Sequence, residues 1–173
     1  GESDANDAEA TCEAVSRPTM RYVAIKSCEQ QAALTVHRTR DLLVKQRTQL
    51  VNMIRGLLAE FGIEIRRGIT HALSLAERIA AGEMPDVPAL AAKMIASLAG
   101  QILDLQARLR EIERELLAWH RSSDIARRLA TIPGVGTICA TAFAASVPDP
   151  HPFPPGRQFA AWLGLRPLQP SAG

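Results

Sequence analysis

A run of apolar residues from Ala91 to Trp119 constrains the fold more than any other feature. Ala91, Ile95, Leu98, Ile102, Leu105, Leu109, Ile112, Leu116 and Trp119 alternate steps of four and three without a break. On a helix that spacing gathers them into one seam, and Arg108, Arg110, Glu111, Glu113 and Arg114 fall outside it. So long a seam is unstable in water and demands a second helix beside it. The partner can be the segment 28–61 or a second copy of the chain, forming a coiled-coil arm. The seam can also be the face of an ordinary core helix.

Composition supports a helical reading. Aromatic residues make up only 4% of the chain, and runs of Ala, Leu, Arg and Glu favour helix over sheet. No stretch is apolar for long enough to span a bilayer, and no basic-then-apolar leader is recognisable. Cys12, Cys28 and Cys139 are scattered and lack metal-ligand spacing, the pattern of reduced, buried or half-buried thiols in a cytosolic protein. The net charge of +2 conceals a split: residues 1–16 hold five acids and no base, residues 17–67 ten bases against four acids. Such a basic stretch suits a polyanionic partner, and a solvated helix face can look the same.

Ahead of the seam, residues 6–17 read as a short helix that stops before Pro18. MRYVAIK (20–26) alternates and is β-branched enough for a strand. Ser27 and Gln30 form an S-x-x-Q capping box for a long helix from Cys28 to Phe61, closed by Gly62. Its apolar positions are Val36, Leu43, Leu50, Ile54, Leu57 and Phe61. Arg40 and Arg47, seven apart, fall on or beside that stripe, so each needs a carboxylate or a phosphate as partner, or snorkels its charged end out to water. A short helix follows near 71–81, and GEMPDVP (82–88) breaks it. Asp86 is then the expected N-cap of the seam helix, with Pro88 in its first turn.

LATIPGVGTICATAFAA (129–145) carries the hydrophobic–Pro–Gly–hydrophobic–Gly core of a helix-hairpin-helix at Ile132–Gly136. Gly134 and Gly136 permit a tight turn and a close approach of backbone to a ligand. The following helix would aim unpaired N–H groups near Gly136 and Thr137 at a DNA or RNA phosphate, with Arg127 and Arg128 adding charge. A ligand-free interhelical turn is compatible with the same residues. Asp4 and Asp7, three apart, share one side of a helical turn, as a metal-binding pair or as an acidic helix start. Beyond a short helix at Gly156–Leu163, Ser171 is a hydroxyl nucleophile candidate without a neighbouring base or a Gly-x-Ser-x-Gly elbow, and it is equally a plain loop residue.

Three stretches, in this order, resemble one family. SDANDAEATCEAVSRPTMRYVAIKS, followed by EQQ, HRTRDLLV, QRT and NMIRGLLAEFG, is similar to the end of the RuvC-like domain and the next helix of DEDD-type insertion-sequence transposases. These form the family numbered one-hundred-and-ten, with its eleven-eleven subgroup. LATIPGVGTICATAFAA and GRQFAAWLGLRPLQPSAG resemble the opening of that family's second domain. The resemblance implies a mainly α chain in three parts. Residues 1–61 would be the C-terminal tail of an α/β RuvC-like (RNase H-like) domain with its long helix. Residues 62–122 would be a helical linker and coiled-coil arm, and 123–173 the start of the transposase domain with its helix-hairpin-helix.

The resemblance also implies a chemistry: metal-assisted DNA strand cleavage and exchange in a bacterial, cytoplasmic, nucleoid-associated enzyme without a membrane part. SDANDA matches Asp4 and Asp7 to the last two of four acids that hold Mg²⁺, a hard ion that prefers oxygen. Ser171 matches a serine that attacks DNA. The family's element-encoded guide RNA, or DNA, would meet Arg38, Arg40, Lys45, Arg47 and Arg55, and the coiled coil would join copies of the chain into a homo-oligomer. Departures accompany the match: Ser3 replaces the usual Asn, Pro170 replaces His, Ala172 follows the serine, and the first Asp and the Glu are absent. On this reading the chain is an internal piece of a transposase, inactive alone. A non-enzymatic module that binds nucleic acid and associates through its helices is the alternative.

Overall fold

Alanine-rich, acidic sequence folds as the first helix. In the computed structural model, which describes residues 2–16 and 25–147, α1 covers Glu2–Ser16. Ala5, Ala8, Ala10 and Ala14 have the highest helix propensity, and Glu2 and Asp4 lie at the positive end of the helix dipole. The helix therefore begins earlier than residue 6 and takes in all of DANDAEA. Most of the expected strand 20–26 lies outside the described residues, and Ile25, Lys26 and Ser27 are neither helix nor strand. The described residues are mainly helical and contain no strand.

The chain divides into two units, one of residues 1–27 with 147–173 and one of Cys28–Ser146. The second contains α2 (Cys28–Glu60), α3 (Ile69–Ala80), α4 (Ala89–Ser122), α5 (Asp124–Leu129) and α6 (Thr137–Ser146). Two side-chain bonds set the relation of the long helices: Arg40 donates to Glu113 at 3.1 Å, and Arg47 donates to Gln106. Higher numbers on α2 meet lower numbers on α4, so the two run antiparallel. Continuing that register sets Val51 level with Ile102, Ile54 with Ala99 and Leu58 with Ile95, and all six are buried.

Both seams can now be named. On α2 the line is Ala33, His37, Arg40, Val44, Arg47, Val51, Ile54 and Leu58, each step four or three, with every member buried or half-buried. On α4 it is Ile95, Ala99, Ile102, Gln106, Leu109, Glu113, Leu116 and His120. Leu98, Leu105, Ile112 and Trp119, expected in the seam, stand one position away and are half-buried flanks. The seam of α4 is thus covered by α2 of the same chain.

Helices α3 and α6 complete opposite ends of this pair. Ala72, Ala76 and Ile79 of α3 join Leu58, Ile95, Ala99 and Ile102 in one apolar cluster. At the other end α6 packs against α2 and α4 through small residues, Ala140, Thr141, Ala144 and Ala145, that let helices approach closely. Gln30 Nε2 there donates to the Ala144 carbonyl at 3.2 Å, and Trp119 Nε1 to Glu29 at 3.0 Å.

Helix ends follow local chemistry. Gly62, at φ 75°, closes α2 in a Schellman arrangement: Ile63 N–H donates to Leu58 O and Gly62 N–H to Ala59 O. Pro88, not Asp86, is the N-cap of α4; its carbonyl accepts from Ala92 N–H at 2.9 Å, and its ring fixes the entry angle at φ −54°. Ser123 ends α4 in an extended conformation and caps α5, its hydroxyl accepting from Ala126 N–H.

Candidate nucleic-acid interface

The basic residues expected on α2 share a helix but differ in what occupies them. Arg40 and Arg47 sit in the seam itself, where a bare guanidinium would be costly, and Glu113 and Gln106 meet them. The Nε of Arg47 is buried without a partner. Arg55 turns its Nη2 to two backbone carbonyls, Arg66 O at 2.9 Å and Gly68 O at 2.8 Å. Arg38 and Lys45 are exposed and, seven positions apart, lie on one face of α2. Of the five, these two are exposed and the other three are half-buried.

The α5–α6 connection builds a second basic feature. Val135 N–H donates to Ile132 O at 3.0 Å around Pro133 and Gly134, whose φ of 86° makes this a type II turn. Gly136 directly precedes α6, its carbonyl accepting from Ala140 N–H at 2.9 Å. No acidic residue stands in the first turn of α6, and a Cβ placed on Gly136 would meet nothing within 4 Å. The start of α6 therefore has open space beside N–H groups that the helix itself leaves unbonded. Thr137 is half-buried, and its carbonyl accepts from the Thr141 hydroxyl at 2.8 Å. Arg127 and Arg128 are exposed at the end of α5, with Arg127 paired to Asp124.

Sequence reasoning missed His37 and His120. Both stand in the seams, and the Nε2 of each is buried without a partner. Burial holds the His37 pKa below its ordinary value of 6.5; Asp41 opposes that shift and Arg40 adds to it. The four-three spacing from Ala33 to Leu58 was the available signal, but a histidine in it does not read as core.

Asp4 and Asp7 both lie on α1, one turn apart, and Asp7 is exposed. Their donor chemistry suits a hard cation, but their number does not fit a two-ion site. Among the described residues no three His, Cys, Asp or Glu side chains come together to hold a metal. Ser171 and the Gly156–Leu163 helix lie outside the described residues.

Comparison with known proteins adds what the fold alone does not give. Residues 126–173, from within α5 onward, match the family described as Transposase IS116/IS110/IS902. In those residues the chain is similar to that transposase family. Its likeness to individual family transposases extends well beyond those residues. It is 48% identical over 171 residues to the "Probable family 20 transposase" of Pseudomonas aeruginosa, covering 98% of this chain and 51% of that protein. It is 38% identical to the transposase for insertion sequence element IS1111A of Coxiella burnetii, over 99% of this chain and 47% of that protein. The transposase for IS1328 of Yersinia enterocolitica is 39% identical, again over 99% of this chain and 50% of its own length. The chain thus spans about half the length of the curated relatives it matches. No solved structure matches it. Among the described residues, no helix is long and apolar enough to cross a membrane.

Proposed function

We propose that the chain is a nucleic-acid-holding segment of an insertion-sequence DNA transposase. Similarity to named transposases over 98% of the chain carries this reading. The α2–α4 pair is a rigid scaffold, and its exposed basic groups contact phosphates without reading sequence. Arg38 and Lys45 do so along α2. Arg127 and Arg128 do so at the α5–α6 connection, a helix-hairpin-helix whose Gly136 and Thr137 bring backbone N–H groups to a phosphate. Both DNA and an element-encoded RNA offer the phosphodiester that these groups fit.

In the whole enzyme, Asp4 and Asp7 supply part of a carboxylate set for Mg²⁺ at the tail of a RuvC-like domain, and Ser171 is the nucleophile toward DNA. For the isolated chain, the alternative is a non-enzymatic module that binds nucleic acid and associates through its helices. Association into a homo-oligomer would have to use residues other than the buried seam, which α2 already covers. Salt-titrated binding of duplex DNA and structured RNA to the chain tests the reading.

A further inference from the structure

The connection between α2 and α3 brings two further arginines, Arg66 and Arg67, beside Arg55. Arg55 ties this connection to α2 through its bonds to the carbonyls of Arg66 and Gly68. Beside the tie lies a hollow of about 680 Å³ whose lining includes Asn52, Arg55, Glu64, Arg66 and Arg67. Three guanidinium groups there outnumber one carboxylate. Arg66 and Arg67 are exposed, and the Nε of Arg55 is buried with no acceptor. α3 begins just beyond, at Ile69, with no side chain capping it and no acid in its first turn, so its dipole adds to the positive field.

We propose that this hollow is a phosphodiester-binding site. Adjacent arginines present planar donor forks that match phosphate oxygens, and a connection already fixed by Arg55 loses little further freedom on binding. A single protein carboxylate would leave most of the charge unmet, whereas a nucleic-acid backbone brings one charge per phosphate. The site rests on the nucleic-acid reading given above and adds a contact region to it.

The test measures binding of the full 173-residue chain to a fluorescent DNA duplex and to an RNA hairpin across a salt series. Arg66→Ala/Arg67→Ala weakens binding about tenfold at low salt and makes the salt slope shallower by about 2, on at least one of the two polymers. The polymer with the larger change is the natural occupant. Glu64→Gln tightens binding. Arg110→Ala/Arg114→Ala, an equal loss of charge on the exposed side of α4, leaves the slope nearly unchanged. Equal effects of the two double variants, or no effect of the first, overturn the site while leaving the wider reading intact. A wild-type chain that binds neither polymer overturns both.

Discussion

The Arg40 guanidinium lies 3.1 Å from the Glu113 carboxylate and joins two helices across 73 positions of sequence. Both residues belong to seams that are otherwise largely apolar, so the pair acts on alignment more than on strength. Sliding α4 by one heptad in the direction that sets Arg47 level with Ala99 strands a guanidinium among apolar groups. The side chains are 23% and 45% exposed, which keeps the pair's own contribution small. A double-mutant cycle of Arg40→Ala and Glu113→Ala, read by urea denaturation, is expected to give a coupling of no more than about 1 kcal/mol.

Gly134 and Gly136 stand two positions apart in the same turn but answer to different constraints. Gly134 has φ 86°, a conformation that costs an L-residue about 1–2 kcal/mol, so Gly134→Ala should destabilise by about that amount. Gly136 has no such φ, and its Cβ position is open. Gly136→Ala should stay within about 0.5 kcal/mol of the parent in denaturation. A loss of nucleic-acid binding in that stable variant would show that the open space is used.

His37 ties stability to pH. Its folded pKa lies below 6.5, chiefly through burial, so the unfolded chain takes up a proton more readily. The sign follows: this contribution is fully present above pH 6.5, falls as pH drops through 6.5, and levels off below the folded pKa. Thermal melts should show a lower Tm at pH 5.5 than at pH 8. His37→Leu should flatten that difference, and an equal pH dependence in the variant would remove His37 as its source.

Much of the helical pair is legible in the sequence. The Ile95, Ile102, Leu109 and Leu116 heptad is apolar and large, and all four are buried as expected. The other half of the seam is harder to read, because Ala99 looks like filler and Gln106, Glu113 and His120 look like surface. A facing helix with Arg47 and Arg40 at matching levels makes Gln106 and Glu113 suitable there, whereas His120 comes level with Ala33 and its Nε2 is buried without a partner. The same holds for α2, whose seam contains His37 and two arginines, while Val36, Leu43, Leu50 and Leu57 flank it. The N-cap at Pro88 was missed because Asp86 has the better capping side chain, and the rigid proline decides the entry instead. Arg55 reads as surface charge and is a structural tie, since sequence does not show which carbonyls lie within reach.

Metal-dependent cleavage tests what Asp4 and Asp7 do in the 173-residue chain. Two aspartates one turn apart do not hold two ions in a geometry that steadies both attacking and leaving oxygens. The purified 173-residue chain should therefore leave supercoiled and linear DNA intact with Mg²⁺ or Mn²⁺. Nicking that disappears in Asp4→Ala would show that the chain assembles a working site after all.

The salt dependence of nucleic-acid binding reports how many phosphates the chain holds. A chain that holds phosphates through Arg38, Lys45 and the α5–α6 connection releases counterions on binding. Log K against log salt should fall linearly with a slope of about −2 or steeper, for unrelated sequences alike. Absent binding at low salt, or an affinity that does not change with salt, would contradict the account.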